Sequence, residues 1–337
     1  MNPPEKILII RFSSIGDIVL TSPVVRAVRK KFPRAEIHFL CKNAFRNIVA
    51  SNPNISKFHF YKDALKPVIS ELRRESFDCI IDLQKNLKSY RIKNALGCPS
   101  YTFDKLNYKK WLLVKFKINH MPPLHIVDRY FDGLKPLGVE NDGQGLEFFI
   151  NPVDEVPLSA LPENFWHGYI AFVIGGTYFT KRLPNEKVIE IINRLSIPVL
   201  LLGGSNEVEN GNAIRKACGT KVYNAVNQLG LAQSASVVKQ AVAVITNDTG
   251  LMHIAAAFGK RIISVWGNTV PEFGMTPYYG SQEVTKEKSF IAEVEGLSCR
   301  PCSKLGYDAC PRKHFRCMND IDSAQIVQVA EAFISAG

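Results

Sequence analysis

Apolar residues along the chain fall into short, nearly unbroken runs, separated by longer stretches in which they recur every three or four positions. In the first half, KILIIRF (6–12), EIHFLC (36–41), KFHFY (57–61) and DCIIDLQ (78–84) are runs of the first kind, and SPVVRAVRKKF and ALKPVISELRRE are stretches of the second. Unbroken apolar runs are strands covered on both faces, and the three-to-four spacing is that of an amphipathic helix. Their alternation predicts a parallel sheet wrapped by helices. NPVDEVPLSALPENF (151–165), rich in proline and acid and without a period, reads as a linker. The alternation then restarts with YIAFVIGG (169–176), IPVLLLGG (197–204), AVAVITND (241–248) and RIISVWGN (261–268). PNEKVIEIINRL and SNEVENGNAIRKA lie between them, and DSAQIVQVAEAFISA closes the chain as a helix capped by Asp322 or Ser323. The expected architecture is two doubly wound α/β domains, 1–150 and 166–320, joined by the linker and followed by a C-terminal helix, 321–337.

Composition agrees with this layout, since 337 residues exceed what one core usually supports and 46% of them are apolar. No apolar run reaches the eighteen or more residues of a spanning helix, and no secretory signal precedes the first strand. The expected location is therefore the cytoplasm. Charge sharpens the picture. Residues 1–150 hold 25 Lys plus Arg against 14 Asp plus Glu, whereas 151–337 hold 17 of each, so the whole net charge of +11 lies in the first half. From Lys85 to Lys117 there are nine basic residues and one acid, Asp104. So one-sided a segment favours an anionic partner over a merely solvated face. Nucleic acid is not that partner, because no nucleic-acid module or aromatic–basic interleaving is present.

In open parallel sheets ligands bind at the carboxyl ends of the strands, which directs attention to four loops. After the first strand, RFSSIGDIVLTSP carries Ser13, Ser14 and Gly16 in a turn and a lone acid, Asp17, readable either as a turn-stabilising residue or as a general base. VIGGTYFTKRLP brings Gly175, Gly176, Thr177, Lys181 and Arg182 to the start of a helix, the makings of a diphosphate site. LLGGSNEVENG offers Glu207 or Glu209 to ribose hydroxyls, although either acid would also suit a helix N-terminus. The fourth, Asn247-Asp248-Thr249-Gly250, is a polar turn between a buried strand and an apolar helix that carries His253 one turn in. Neither G-x-G-x-x-G nor a Walker A loop occurs, which weighs against a NAD-dependent oxidoreductase and a P-loop enzyme.

Of eight cysteines, Cys41, Cys79, Cys98 and Cys218 stand singly and read as small buried hydrophobes. Cys299, Cys302, Cys310 and Cys317 follow C-x2-C-x7-C-x6-C with His314 nearby. This set is readable as a structural zinc site or as free thiols.

The runs ILIIRFSSIGDIVLTSPVVRAVRKKFP, GGTYFTKRLP, LLGGSNEVE and TNDTGLMHIAAAFGKRIISVWGNTVPEFGMTPY occur in the order seen in glycosyltransferase family 9, and the chain resembles that family of lipopolysaccharide heptosyltransferases. The resemblance implies a GT-B fold, two Rossmann-like domains facing a cleft. It further implies an inverting transfer from an ADP-sugar that requires no metal, with acceptor on the first domain and donor on the second. By the same resemblance Asp17 is the catalytic base, and Thr177, Lys181, Glu207, Asp248, Thr249, Gly250 and His253 bind the donor. Ser14 and Gly16, with Lys85, Lys88 and Arg91 of the basic segment, are expected to hold an anionic glycolipid acceptor at the inner face of the inner membrane. A non-catalytic nucleotide-sugar-binding protein is the alternative.

Overall fold

The computed structural model describes residues 3–62 and 64–336. By its internal contacts the chain forms two compact units. The first runs to Lys105 and adds Leu124–Phe149; the second is Leu106–Pro123 together with everything from Ile150 onward. Against the sequence expectation, 106–123 packs with the second unit, so the basic segment 85–117 is divided between the two, and the segment expected as a linker, 151–165, also lies in the second unit.

In the first unit the strands are β1 (Lys6–Ile10), β2 (Glu36–Lys42), β3 (Lys57–Tyr61), β4 (Cys79–Asp82) and β5 (Ser100–Thr102), all parallel and ordered β3-β2-β1-β4-β5. Its helices are α1 (Ile15–Val19), α2 (Ser22–Lys31), α3 (Arg46–Val49), α4 (Leu65–Arg73), α5 (Leu87–Leu96) and, beyond the excursion into the second unit, α7 (Ile126–Asp132). The excursion carries α6 (Asn107–Phe116). Ile7 to Ile10 are fully buried, as a central strand covered on both faces must be. Pro23 sits in the first turn of α2, where its missing N–H has no helical partner to lose.

The second unit holds β6 (Ile170–Val173), β7 (Val199–Leu202), β8 (Val222–Asn224), β9 (Ala243–Asn247), β10 (Arg261–Trp266) and β11 (Ser289–Glu293), parallel and ordered β11-β10-β9-β6-β7-β8. Around them lie α8 (Asn185–Arg194), α9 (Val208–Cys218), α10 (Leu231–Gln240), α11 (Gly250–Ala257), α12 (Gln282–Lys288), α13 (Arg316–Asn319) and α14 (Ser323–Ser335). Of the two caps proposed for α14, Asp322 makes the bond, accepting from Gln325 N at 3.0 Å. The segment 151–165 makes three short 3₁₀ turns and is tied to α10, where Val156 N donates to Ser236 Oγ and Gln240 Nε2 donates to the Val156 carbonyl.

Each sheet has one place where the strand order reverses, between β1 and β4 in the first and between β6 and β9 in the second. At such a point the loops leaving the two strands diverge and open a crevice at their carboxyl ends. Asp17, in the helix that follows β1, and Lys181, in the segment that follows β6, both lie just beyond these reversal strands.

Candidate active site

At the first reversal, Ser14 is the N-cap of α1 and Asp17 the third residue of that helix. Asp17 Oδ2 accepts from Ser14 N at 3.0 Å and from Ser14 Oγ at 2.9 Å, and Oδ1 pairs with the Arg11 guanidinium at 2.5 Å. Arg11 is buried at the end of β1 and also donates to the Ser13 and Leu83 carbonyls and to Tyr130 Oη. Burial alone would raise the Asp17 pKa, but Arg11 and the two Ser14 donors outweigh it and hold the carboxyl below the usual carboxylate range. Burial pushes the neighbouring Tyr130 phenol up to about 12. The turn-stabilising and the chemical readings of Asp17 are therefore compatible, because the helix-capping contacts are also the ones that keep it ionised. The Asp17 side chain is 23% exposed.

Beside it, the loop leaving β4 is organised by a fully buried acid. Asp82 accepts from Gln84 N, Lys85 N and Ser89 Oγ and pairs with Lys93 at 3.1 Å, while Gln84 Oε1 accepts from Phe12 N and joins the loop to the end of β1. Three basic residues expected at an acceptor site flank this loop. Lys85 Nζ donates to the Phe103 carbonyl at 2.8 Å, Lys88 Nζ lies 5.6 Å over the Tyr61 ring, and Arg91 is exposed on α5. Lys85 is thus partly spent on the fold, and Gly16 is buried in α1.

At the second reversal a single hydrogen-bonded set joins the ends of four strands. Asn247, buried at the end of β9, donates from Nδ2 to the Val173, Ile174 and Gly175 carbonyls and accepts from Leu183 N, pinning the loop that follows β6. Next to it Asp248 accepts from Lys181 Nζ at 2.5 Å and from Thr269 Oγ1 at 3.0 Å. Arg182 pairs with Glu207 at 2.9 Å and donates to the Gly176 carbonyl. The other Glu207 oxygen accepts from Gly204 N at 2.9 Å. Between the two acids left open by the sequence, Glu207 is the buried one and Glu209 is exposed on α9.

Thr249 occupies the N-cap position of α11 without a side-chain cap bond; its hydroxyl instead meets Thr246 Oγ1 at 3.2 Å. At the glycines that end β6 and β7, a Cβ on Gly175 would stand 3.1 Å from Glu207 Oε2 and one on Gly203 3.1 Å from Glu207 Cβ. Close packing of two loops against Glu207 thus accounts for both. His253 is buried within α11, whereas Thr177 is exposed and Gly250 opens the helix.

The cysteine-rich segment is far from these loops in sequence and next to them in space. Cys302 N donates to the Asn268 carbonyl, Tyr307 N donates to Thr180 Oγ1, and Thr180 Oγ1 donates to Asn268 Oδ1. Arg300 fastens the same corner, donating to the Trp266, Gly267, Thr269 and Val294 carbonyls and pairing with Glu293 at 2.7 Å. The four cysteines share one neighbourhood in which burial, reinforced by the other thiols, raises the Cys302 thiol to about 11. Cys299 Sγ lies 3.9 Å from His314 Nε2. Among the described residues, though, the group that brings three ligand atoms within 4.8 Å of one another is His38, His59 and Glu75, and no such group forms at the cysteines.

Asn247, Arg11 and Arg300 hold these sites together; sequence reasoning missed Arg11 and Arg300, and saw Asn247 only as part of a polar turn, without its partners. Arg11 has a signal, a cation directly after four apolar residues of a central strand, where burial demands a partner.

The model of glycosyltransferase family 9 (heptosyltransferase) matches residues 66–294. Lipopolysaccharide heptosyltransferase 1 of Pseudomonas aeruginosa is 25% identical, over 95% of this chain and 92% of its own length. Among solved structures, a family 9 glycosyltransferase from Veillonella parvula superposes with a TM-score of 0.74 at 20% identity, covering 99% of this chain and 98% of its own. An ADP-heptose lipopolysaccharide heptosyltransferase II from Escherichia coli does so with 0.72 at 19% identity, covering 98% and 99%. The two parallel sheets, reversed at strands that lead to Asp17 and Lys181, together with a family match over most of its length, establish that this chain belongs to glycosyltransferase family 9 and is a glycosyltransferase of GT-B fold.

Proposed function

We propose that the enzyme transfers a heptose, with inversion, from ADP-heptose to a hydroxyl of a lipopolysaccharide core, without a metal ion in the reaction. The observation that carries this reading is Asp17, kept ionised yet partly exposed by Arg11 and Ser14 at the mouth of the first sheet. In an inverting displacement the acceptor oxygen attacks the anomeric carbon as the bond from that carbon to the β-phosphate oxygen breaks. Asp17 takes the hydroxyl proton, and ADP departs with the electron pair. Lys181, Thr177 and the backbone N–H groups at the start of α11 supply fixed positive potential for the leaving diphosphate, the task that a metal performs in other transferases. Glu207, with Arg182 as its partner, is assigned to the ribose, and Gly250 and His253 to the donor end of α11. Ser14, Gly16, Lys85, Lys88 and Arg91 are assigned to an anionic glycolipid at the inner face of the inner membrane. A structural zinc on Cys299, Cys302, Cys310 and Cys317 would need those ligands drawn closer than they stand, and metal analysis of wild type against Cys299→Ser decides it.

The test is a screen of ADP-, GDP- and UDP-sugars for binding and turnover, repeated with Asp17→Ala. ADP-sugars are expected to be the donors. The variant is expected to lose about 10²- to 10⁴-fold in turnover, the contribution of a positioned base, while ADP binding measured by calorimetry stays near wild type. Undiminished turnover in the variant overturns the assignment of Asp17.

A further inference from the structure

The helix α6 presents large apolar side chains to solvent in a chain segment with no acid. Its buried side is short: Leu113 packs with Val270 and Phe273, backed by Val114 and Met121. Lys110 Nζ lies 5.8 Å over the Phe273 ring. One turn-spacing round the helix, Tyr108 is 70% exposed and Trp111 43%, followed by Phe116 at 58% and Ile118 at 46%. The three rings form one surface: Tyr108 stacks on Trp111 with centroids 6.0 Å apart, and Trp111 meets Phe116 edge-on at 5.2 Å. Lys304 Nζ donates to the Asn107 carbonyl at the start of the helix, and the next residue, Leu305, is 64% exposed. Between Asp104 and Asp128 there is no Asp or Glu. Of the lysines in this stretch, Lys110 lies over Phe273 and Lys117 Nζ donates to the Val114, Cys299 and Pro301 carbonyls, which leaves Lys109 and Lys115 as the cations beside the exposed rings.

Clustered exposed rings of this size are uncommon on a surface that meets only water. Tyr and Trp with interspersed lysines match the interfacial zone of a bilayer, where rings sit at headgroup depth and lysines meet anionic phosphate. The lysines also discriminate among occupants, because a second copy of the same face would bring like charges together. We propose that α6, with Ile118, is the element by which the enzyme docks on an anionic lipid bilayer, its rings inserted among the headgroups and Lys109 and Lys115 on the phosphates. The inference rests on the reading of a membrane-held acceptor, but it concerns the lipid surface itself.

The experiment uses the full chain and vesicles of phosphatidylcholine with or without phosphatidylglycerol, containing no glycolipid, so that acceptor recognition is not measured. Wild type is expected to co-sediment with the anionic vesicles, less so as salt rises. Brominated lipid is expected to quench Trp111 fluorescence. Trp111→Ala with Phe116→Ala is expected to weaken vesicle binding by about tenfold or more while ADP affinity and melting temperature hold, which shows the fold intact. The proposal is overturned if wild type ignores anionic vesicles, or if the double variant binds them as well as wild type does. It is also overturned if the variant changes only the sedimenting mass of the protein, the mark of a face that pairs two chains. Failure of ADP-sugar turnover on a soluble acceptor would strike the functional reading and leave this result standing.

Discussion

At the residue scale, the fold and the proposed chemistry make opposing demands on Asp17. The Arg11 and Ser14 contacts that fix its position also lower its proton affinity, and a weaker base gives less drive to proton transfer. A carboxylate positioned by a buried guanidinium is nevertheless always ready. Its ionised form persists below the ordinary Asp pKa of about 4, so no acid limb of kcat/KM from Asp17 is expected between pH 5 and 7. Arg11→Met removes the largest opposing charge and leaves burial to act. The Asp17 pKa is then expected to rise, and the acid limb to move up into the measured range in a pH–rate profile. The same variant is expected to cost about 2–4 kcal/mol in chemical denaturation, since the Leu83 and Ser13 carbonyls lose a buried donor.

These roles were legible in the sequence to different depths. Asp17 stood out because a lone acid between apolar neighbours in a strand-end loop needs a reason. Its partner Arg11 did not, because the last residue of an apolar run reads as the polar end of a strand. Asn247 was visible as part of a polar turn, but nothing in the pattern says that one amide would reach three carbonyls of another loop.

At the element scale, that amide ties the end of β9 to the loop after β6 through four contacts, and Asp248 extends the link to Lys181 and to Thr269 after β10. Asn247→Ala strands several buried backbone groups together and is expected to destabilise the second unit by about 2–4 kcal/mol in urea unfolding. Weaker ADP binding should accompany it, because Lys181 leaves its position. Long central strands were placed within a few residues by their apolar runs, and β3 was placed at its observed ends. The edge strands β5, β8 and β11 went unread: SYT and VYN are three residues long, and SFIAE is partly exposed, so none shows a buried run. The excursion 106–123 was equally hidden, since it is set by packing of Leu113 on Val270 and Phe273 across 157 positions or more of chain.

At the scale of the whole molecule, pH acts on a part of the first sheet remote from the proposed chemistry. His38 on β2 and His59 on β3 are both buried, with His38 Nδ1 at 2.9 Å from His59 Nε2. His59 Nδ1 meets Glu71 at 2.5 Å, His38 Nε2 meets Glu36 at 3.4 Å, and Lys6 and Lys57 pair with Glu75 close by. Burial first, and then His59, lowers the His38 pKa below that of a free imidazole. A base with a depressed folded pKa takes up its proton more readily when unfolded, so acid favours unfolding. Stability is expected to be flat above about pH 6.5 and to decline below it, checked by melting temperature across pH. His38→Phe should flatten that decline. No helix of the described residues is long and apolar enough to cross a membrane.

The ion pair of Lys181 with Asp248 bears on the catalytic cycle. The lysine is paired with a carboxylate of its own chain. On the proposed donor site, an arriving diphosphate displaces an internal competitor. On the same reading, that carboxylate is expected to reclaim Lys181 once transfer is complete and to hasten the departure of spent ADP, so that Asp248 exchanges ground-state affinity for turnover.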